Sequence, residues 1–277
     1  MTRTQLTQAL RDAGVTAGGI LMVHTRMSAI GQVIGGADTV VSALLECLGP
    51  EGTLVVYTAW EHDAYEMADW PPQRQAAYRG DPPVFDPLIS EAWSGVGRIP
   101  ERVRTWPGAH RSAHPLASVA AIGAQAETLV RGHRLGDGYG ATSPLAKLVA
   151  QRGEILLLGA PLDTLTILHH AEAISDRPGK RHYRFPARLR SADGTVDVEV
   201  DDIDTTRGAY DYTAVEDGGS DAFEILARDA LEAGVGRAVS IAHASSYLFD
   251  AAALVAFAVA WLDRLVSAQP PPTSTGG

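Results

Sequence analysis

The run Glu154-Ile-Leu-Leu-Leu-Gly159 constrains the fold of this 277-residue chain more than any other segment. It is set between glycines and its four interior residues are all apolar, so a strand built from it needs cover on both faces. Such a strand belongs at the centre of a sheet with helices above and below, an α/β arrangement. The first sixty residues agree. Leucines at helical spacing over 4–14 end on a glycine, and an apolar run over 19–24 reads as a strand. A glycine-bearing loop over 25–36 leads to a helix over 37–48, closed by Gly49-Pro50, and to a second strand over 53–58. Strand, helix, strand is the βαβ unit of a mainly parallel sheet.

Beyond it the chain makes a long excursion over 59–107, rich in Trp, Pro, Asp and Tyr, with short helices expected near 89–93. A strand over 117–122, a helix over 124–130 and a helix over 144–150 follow, the last with Ser143 as its cap and proline in its first turn. After the central strand come a helix over 166–175, a hairpin turning at Ser191-Ala-Asp-Gly194, and closing helices over 222–233 and 251–266. The expected fold is a layered α/β sandwich: a central mainly parallel or mixed sheet flanked by helices, with a small inserted hairpin. No repeat or linker divides it, so one domain over 1–266 is expected, with a Pro- and Thr-rich disordered tail over 267–277.

Charge narrows the function classes. With 23 Lys and Arg against 33 Asp and Glu the net charge is −10, which argues against nucleic acid and favours a cationic partner. No apolar run approaches the roughly 20 residues of a membrane helix and the first residues lack a signal peptide's apolar stretch, so a cytoplasmic protein without a membrane partner is expected. The single cysteine, Cys47, sits in an apolar helical pattern and makes an intrachain disulfide or cysteine metal cluster impossible.

The most informative polar segment is Thr166-Ile-Leu-His-His-Ala-Glu172. His169 and Glu172 are three apart on one helix face, with Thr166 three residues earlier on it. A carboxylate beside an imidazole fixes its tautomer and raises its basicity, which suits a general base; an exposed ion pair is the plainer alternative from spacing alone. His170 points elsewhere, and zinc on His169 and His170 fails because adjacent helical residues diverge by about 100°. No metal site is expected. Met22-Val-His-Thr-Arg-Met-Ser-Ala-Ile-Gly31 leaves a strand end, where open α/β sheets bind ligands, and Ser28, Ala29 and Gly31 are small enough to let an elongated ligand lie against the backbone; it is otherwise an ordinary loop. Arg111-Ser-Ala-His-Pro115 offers an Arg and a His for phosphate or carbonyl groups. Trp60-Glu-His-Asp-Ala-Tyr-Glu66 reads as a solvated loop or as a cradle for a polycation.

These segments, with Leu156-Leu-Leu-Gly-Ala-Pro-Leu-Asp163, Pro178-Gly-Lys-Arg181 and Tyr247-Leu-Phe-Asp250, resemble the aminoglycoside 3-N-acetyltransferases, an acetyl-CoA-dependent antibiotic-resistance family distinct in fold from the GNAT acetyltransferases. One departure is Arg26, where many members carry a second hydroxyl residue. The resemblance implies that His169 deprotonates the 3-amino group of a 2-deoxystreptamine ring, that Glu172 orients the imidazole, and that the amine attacks the acetyl thioester with no acyl-enzyme. It implies a hydroxyl from Thr166 or Thr25 at the oxyanion. His24, Thr25, Met27, Ser28 and Gly31, with Arg111 and His114, would hold the pantetheine and phosphates of acetyl-CoA. Glu61, Asp176 and Glu216 would bind the drug's ammonium groups. The assembly would be a monomer or homodimer. Two alternatives stand beside it: an acyl-CoA-dependent N-acyltransferase of the same fold with another amine as acceptor, and a non-catalytic CoA- or drug-binding protein.

Overall fold

The computed structural model describes residues 1–60, 67, 70–215 and 221–268. Thr2 opens the first helix, α1 (Arg3–Asp12), with a capping box in which it and Gln5 satisfy each other's backbone amides. Then follow β1 (Ile20–Thr25), the single turn α2 (Met27–Ile30), α3 (Gly36–Leu48), β2 (Thr53–Tyr57), α4 (Pro72–Gly80), β3 (Val84–Phe85), α5 (Arg98–Arg104), β4 (His110–Arg111), β5 (Val119–Gly123), α6 (Ala126–Val130) and α7 (Pro144–Ala150). The second half contains β6 (Glu154–Leu158), α8 (Ile167–Ile174), β7 (His182–Ser191), β8 (Gly194–Ile203), α9 (Ala222–Glu232), β9 (Gly236–Ile241), β10 (Ala244–Asp250) and α10 (Ala251–Ala268).

Seven strands form the main sheet in the order β4-β5-β2-β1-β6-β10-β9. The strand over Glu154–Leu158 lies inside it, between β1 and β10, and residues 155 to 158 are fully buried. Alternation along the strand sends Ile155 and Leu157 into the core beneath α6 to α10, and Leu156 and Leu158 into the core beneath α1, α3 and α5. Each leucine removed from water this way contributes about 1.5–3 kcal/mol. That two-sided burial makes the fold a three-layer α/β sandwich.

The sheet is mixed rather than mainly parallel. Only β1 with β2 and β1 with β6 run parallel, the first joined through α3 as a βαβ unit. β5 returns antiparallel to β2 after the excursion, and β9–β10 is a hairpin laid antiparallel on β6. This hairpin was absent from the sequence expectation for a physical reason. Its two-residue turn is Ala242-His243, without glycine, and Ala242 itself takes φ +59°.

The excursion differs from expectation as well. Residues 89–93 are not helical, because their backbone groups are bound elsewhere: the Ala92 amide donates to Glu101 at 2.9 Å and the Trp93 amide to the Thr58 carbonyl at 3.0 Å. Among the described residues of the excursion the helices are α4 and α5, with one 3-10 turn over Ser94–Val96, and β3 pairs with the β7–β8 hairpin in a second sheet of three strands. The expected tail overlaps the last helix, which runs to Ala268; 269–277 lie outside the described residues. Among the described residues no helix is long and apolar enough to cross a membrane.

Candidate active site

β1 and β6 are parallel neighbours, so their carboxyl ends open at the same edge of the sheet. There a cleft of about 350 Å³ is lined by His24, Thr25 and Arg26 at the end of β1, Tyr57 at the end of β2, the 93–96 segment, and the chain from Ala160 to Thr166 that leads into α8. Gly159 makes the turn out of β6 with φ +69°, where a Cβ would meet that of Ala29 at 2.7 Å. His169 lies one turn into α8, with its ring between Tyr139 and Phe223, at centroid distances of 5.0 and 4.8 Å.

The spacing of His169 and Glu172 becomes a contact: His169 Nδ1 is 2.7 Å from Glu172 Oε2. Glu172 is 1% exposed, and its other oxygen accepts from the Tyr212 hydroxyl and the Ala209 amide, both at 2.6 Å. Burial and the carboxylate's charge push the Tyr212 hydroxyl well above its usual range, so it remains a donor. An ionised carboxylate needs a hydrogen on His169 Nδ1, which leaves Nε2 with a free lone pair. The loop that backs this pair needs glycine at 208. It has φ +72°, and a Cβ there would sit 2.5 Å from Tyr212 Cε2 and 3.0 Å from Glu172 Oε1.

A second pocket of about 170 Å³ opens on another side of the same histidine, between the 205–208 loop and the start of α9. His169, Phe223 and Asp163 line both cavities. In the smaller one Asp163 and Asp221 share the wall with Arg207. Burial, then Asp221 and Glu224, hold the Asp163 carboxyl above its ordinary value. His169 thus borders two openings, with Asp163 at both and Asp221 at the smaller.

The family model for aminoglycoside 3-N-acetyltransferases matches residues 22–263. Aminoglycoside N(3)-acetyltransferase VII of Streptomyces paromomycinus is 47% identical over 266 residues, 95% of this chain and 92% of that protein. The chain belongs to the aminoglycoside 3-N-acetyltransferase family. It is thus an acyltransferase, and the fold of the family is visible in solved relatives. AAC-IIIb with CoASH superposes with a TM-score of 0.88 at 39% identity, over 98% of this chain and 99% of that one. AAC-VIa bound to sisomicin gives 0.87 at 39% identity, over 96% and 98%.

Of the residues expected at an acetyltransferase site, the fold brings His24, Thr25, Thr166, His169 and Glu172 together, the first four in the cleft wall and Glu172 behind it. Thr166 is the residue before α8, and its carbonyl accepts from the His169 amide. Met27, Ser28 and Gly31 do not line the cleft. Met27 packs on the core beneath α1 and α3, Ser28 is exposed, and Gly31, at φ +88°, abuts His243. Arg111 and His114 line neither cavity and are engaged within the fold. Arg111 donates to the Ser90 and Ala59 carbonyls and to Ser118 Oγ, so its guanidinium is used within the fold, and burial pushes it down to about 9. His114 is 1% exposed, bonded at Nε2 to Asp202 and at Nδ1 to the Ala117 amide. Asp176 is exposed past the end of α8 and lines neither cavity, while Glu61 and Glu216 lie outside the described residues. Sequence reasoning missed Asp163, Tyr212 and Phe223. Asp163 follows the carboxyl end of the central strand and could have been found by that rule; Tyr212, forty residues from Glu172, carried no local signal.

Proposed function

We propose that this acetyltransferase moves the acetyl group of acetyl-CoA to the 3-amino group of the 2-deoxystreptamine ring of aminoglycosides, conferring resistance. The observation that supports it is His169, tied at Nδ1 to a buried carboxylate and bordering two separate cavities. The larger cleft, with apolar walls from Val23, Ala160, Pro161 and Leu165, suits an acyl-pantetheine arm. The smaller, with Asp163 and Asp221, suits a polyamine sugar. One solved relative is bound to CoASH and another to sisomicin, the two kinds of ligand that this reading requires.

In this mechanism His169 Nε2 takes a proton from the acceptor ammonium, and the freed amine attacks the thioester carbon. The C–N bond forms and the C–S bond breaks; the imidazolium gives its proton to the departing thiolate, and the second proton lost by the attacking nitrogen is released to solvent, leaving a neutral amide and a thiol. Thr166 is our choice to donate to the oxyanion, with Thr25 as the second hydroxyl in the same wall. His24 and Thr25 border the acyl arm. Asp163 and Asp221 join Glu61, Asp176 and Glu216 as proposed partners of the drug's ammonium groups. Acetyl-CoA points to a cytoplasmic reaction.

A thiol-release assay with kanamycin, gentamicin and apramycin tests the reading. Drug-dependent CoA release, with the product acetylated at N3 by NMR, is expected. Release with other amines alone would favour the alternative acyltransferase. CoA binding without release would favour the non-catalytic one.

A further inference from the structure

Among the described residues, Arg177 is a buried cation near the catalytic pair for which the mechanism has no use. It is 8% exposed and makes no ion pair within 4 Å among the described residues, and its Nη1 is buried without a hydrogen-bond partner. Burying a charge without pairing it is costly, so a neutral side chain would serve better if only packing were at stake. Its guanidinium lies 4.8 Å over the ring of Tyr210. Tyr210 donates to the Glu172 and Ser175 carbonyls at 3.4 Å and meets the Tyr212 ring edge-on, and Tyr212 donates to Glu172 Oε1. Arg177 thus stands behind the two tyrosines that back the carboxylate, and its charge is felt at both of their hydroxyls.

We propose that Arg177 is a positioning residue for the His169–Glu172 pair, its buried charge offsetting that of Glu172 so that His169 stays neutral and able to take a proton. A carboxylate at 2.7 Å favours the imidazolium, and a base already protonated at working pH is no base. A nearby cation opposes that effect without touching the ring. This inference rests on the reading of His169 as general base.

Other ionisable groups surround the pair. Asp163 and Asp221 face it across the smaller pocket with Glu224 behind them, and Arg207 lies on that rim. His24, Arg26 and Tyr57 border the larger cleft, and Tyr139 lies against the His169 ring. Lys180 donates to the last carbonyls of α8, Asp176 and Asp211 lie exposed along the same outer segment as Arg177, and His170 is bonded away to the Tyr139 carbonyl. The acidic groups push the same way as Glu172. Arg181, half-buried, donates to the Arg207 and Gly208 carbonyls behind the pair and also has a buried Nε without a partner; among the described cations around the pair, Arg177 is the one whose whole side chain is buried and whose guanidinium lies against the tyrosines that back Glu172.

The test compares wild type with Arg177→Met, Arg177→Gln and Arg177→Lys by two readouts. One is the acid limb of kcat/KM against pH; the other is the NMR titration midpoint of the His169 ring in histidine-labelled protein, assigned by its loss in His169→Gln. Both are expected to move upward by about half to one pH unit in the Met and Gln variants, as for loss of one buried unit charge on the far side of the tyrosines from the ring. Both are expected to return to the wild-type position in Arg177→Lys, which restores charge without the fork. Unmoved midpoints in folded Met or Gln variants overturn the proposal, as a packing role would lower only Tm. A moved NMR midpoint with an unmoved kinetic limb shows that the charge reaches the ring but defeats His169 as base, and so overturns the proposal through the reading it rests on. Shifted midpoints in Arg177→Lys, which keeps the charge, also overturn the proposal, so it is tested even where the charge-free variants do not fold.

Discussion

His169 and Glu172 differ in what each can lose. In His169→Ala the ring between Tyr139 and Phe223 disappears, and the proton acceptor with it. The expected result is a fall in kcat of about 10²–10⁴, with circular dichroism and acetyl-CoA binding retained. Near-native turnover would remove His169 from the mechanism. Glu172→Gln looks milder on paper and is expected not to be. All three partners of the carboxylate are donors, so the amide nitrogen of glutamine must either face Tyr212 and Ala209 or donate to His169 Nδ1. The second outcome moves the imidazole hydrogen to Nε2, where the base must be bare. We expect a rate loss approaching that of His169→Ala and a stability loss of about 1–3 kcal/mol. Steady-state rates and urea melts measured together check it, and activity within about tenfold of wild type would show that Glu172 does not orient the ring.

Among the elements, β4 is two residues long, yet its Arg111 ties the start and the interior of the 59–107 excursion to the sheet through the Ala59 and Ser90 carbonyls. Ala59, with φ +45°, is held in an uncommon conformation for a non-glycine residue. Arg111→Met leaves these acceptors without their charged donor and is expected to cost about 2–4 kcal/mol, since hydrogen bonds to charged groups are the stronger kind. KM for acetyl-CoA in the folded protein should change by less than about threefold. The reverse pattern, unchanged stability with a KM raised tenfold or more, would return Arg111 to the ligand site.

Two consequences belong to the whole molecule. The first is acid stability. Burial, reinforced by the His114 ring stacked 4.8 Å away, pushes His133 down to about 3, and burial lowers His24 to about 4 and also depresses His170. Between pH 6.5 and these values the unfolded chain binds protons that the folded chain refuses. Stability is therefore full above 6.5 and falls with pH, by about 1.4 kcal/mol per pH unit for each such histidine. Below about 4 the loss of Asp202 adds to it. Burial alone would raise that carboxyl, but His114 and the Gly138 and Ile203 amides hold it low. Denaturant midpoints at pH 7.5, 6 and 5 test this, and a flat profile would contradict it. The second is charge. At −10 overall, with Asp163 and Asp221 in the smaller pocket, drug affinity should weaken with salt while acetyl-CoA affinity does not weaken in step. Asp221→Asn isolates the charge because asparagine can still cap α9, where Asp221 Oδ1 accepts from Phe223. We expect kanamycin binding weakened several-fold to about tenfold by calorimetry. Unaltered binding in this variant and in Asp163→Asn would move the acceptor elsewhere.

The amino-acid order alone specified what is local. The four-residue apolar run of β6 required cover on both faces, the Ser143-Pro144 start announced α7, and three-residue spacing put His169 and Glu172 on one side of α8. Each follows from helix or strand geometry acting over a few residues. Tertiary structure decided what depends on distant chain. Whether Glu172 was an exposed ion-pair partner or a buried carboxylate turned on Ala209 and Tyr212, and the contacts that Arg111 and His114 make within the fold turned on Ala59, Ser90 and Asp202. The same holds for β9 and β10, whose weak pattern becomes an edge hairpin only because β6 offers an open side. Spacing sets direction from a helix or strand; burial and the remaining hydrogen-bond partners are supplied by residues that periodicity cannot bring together.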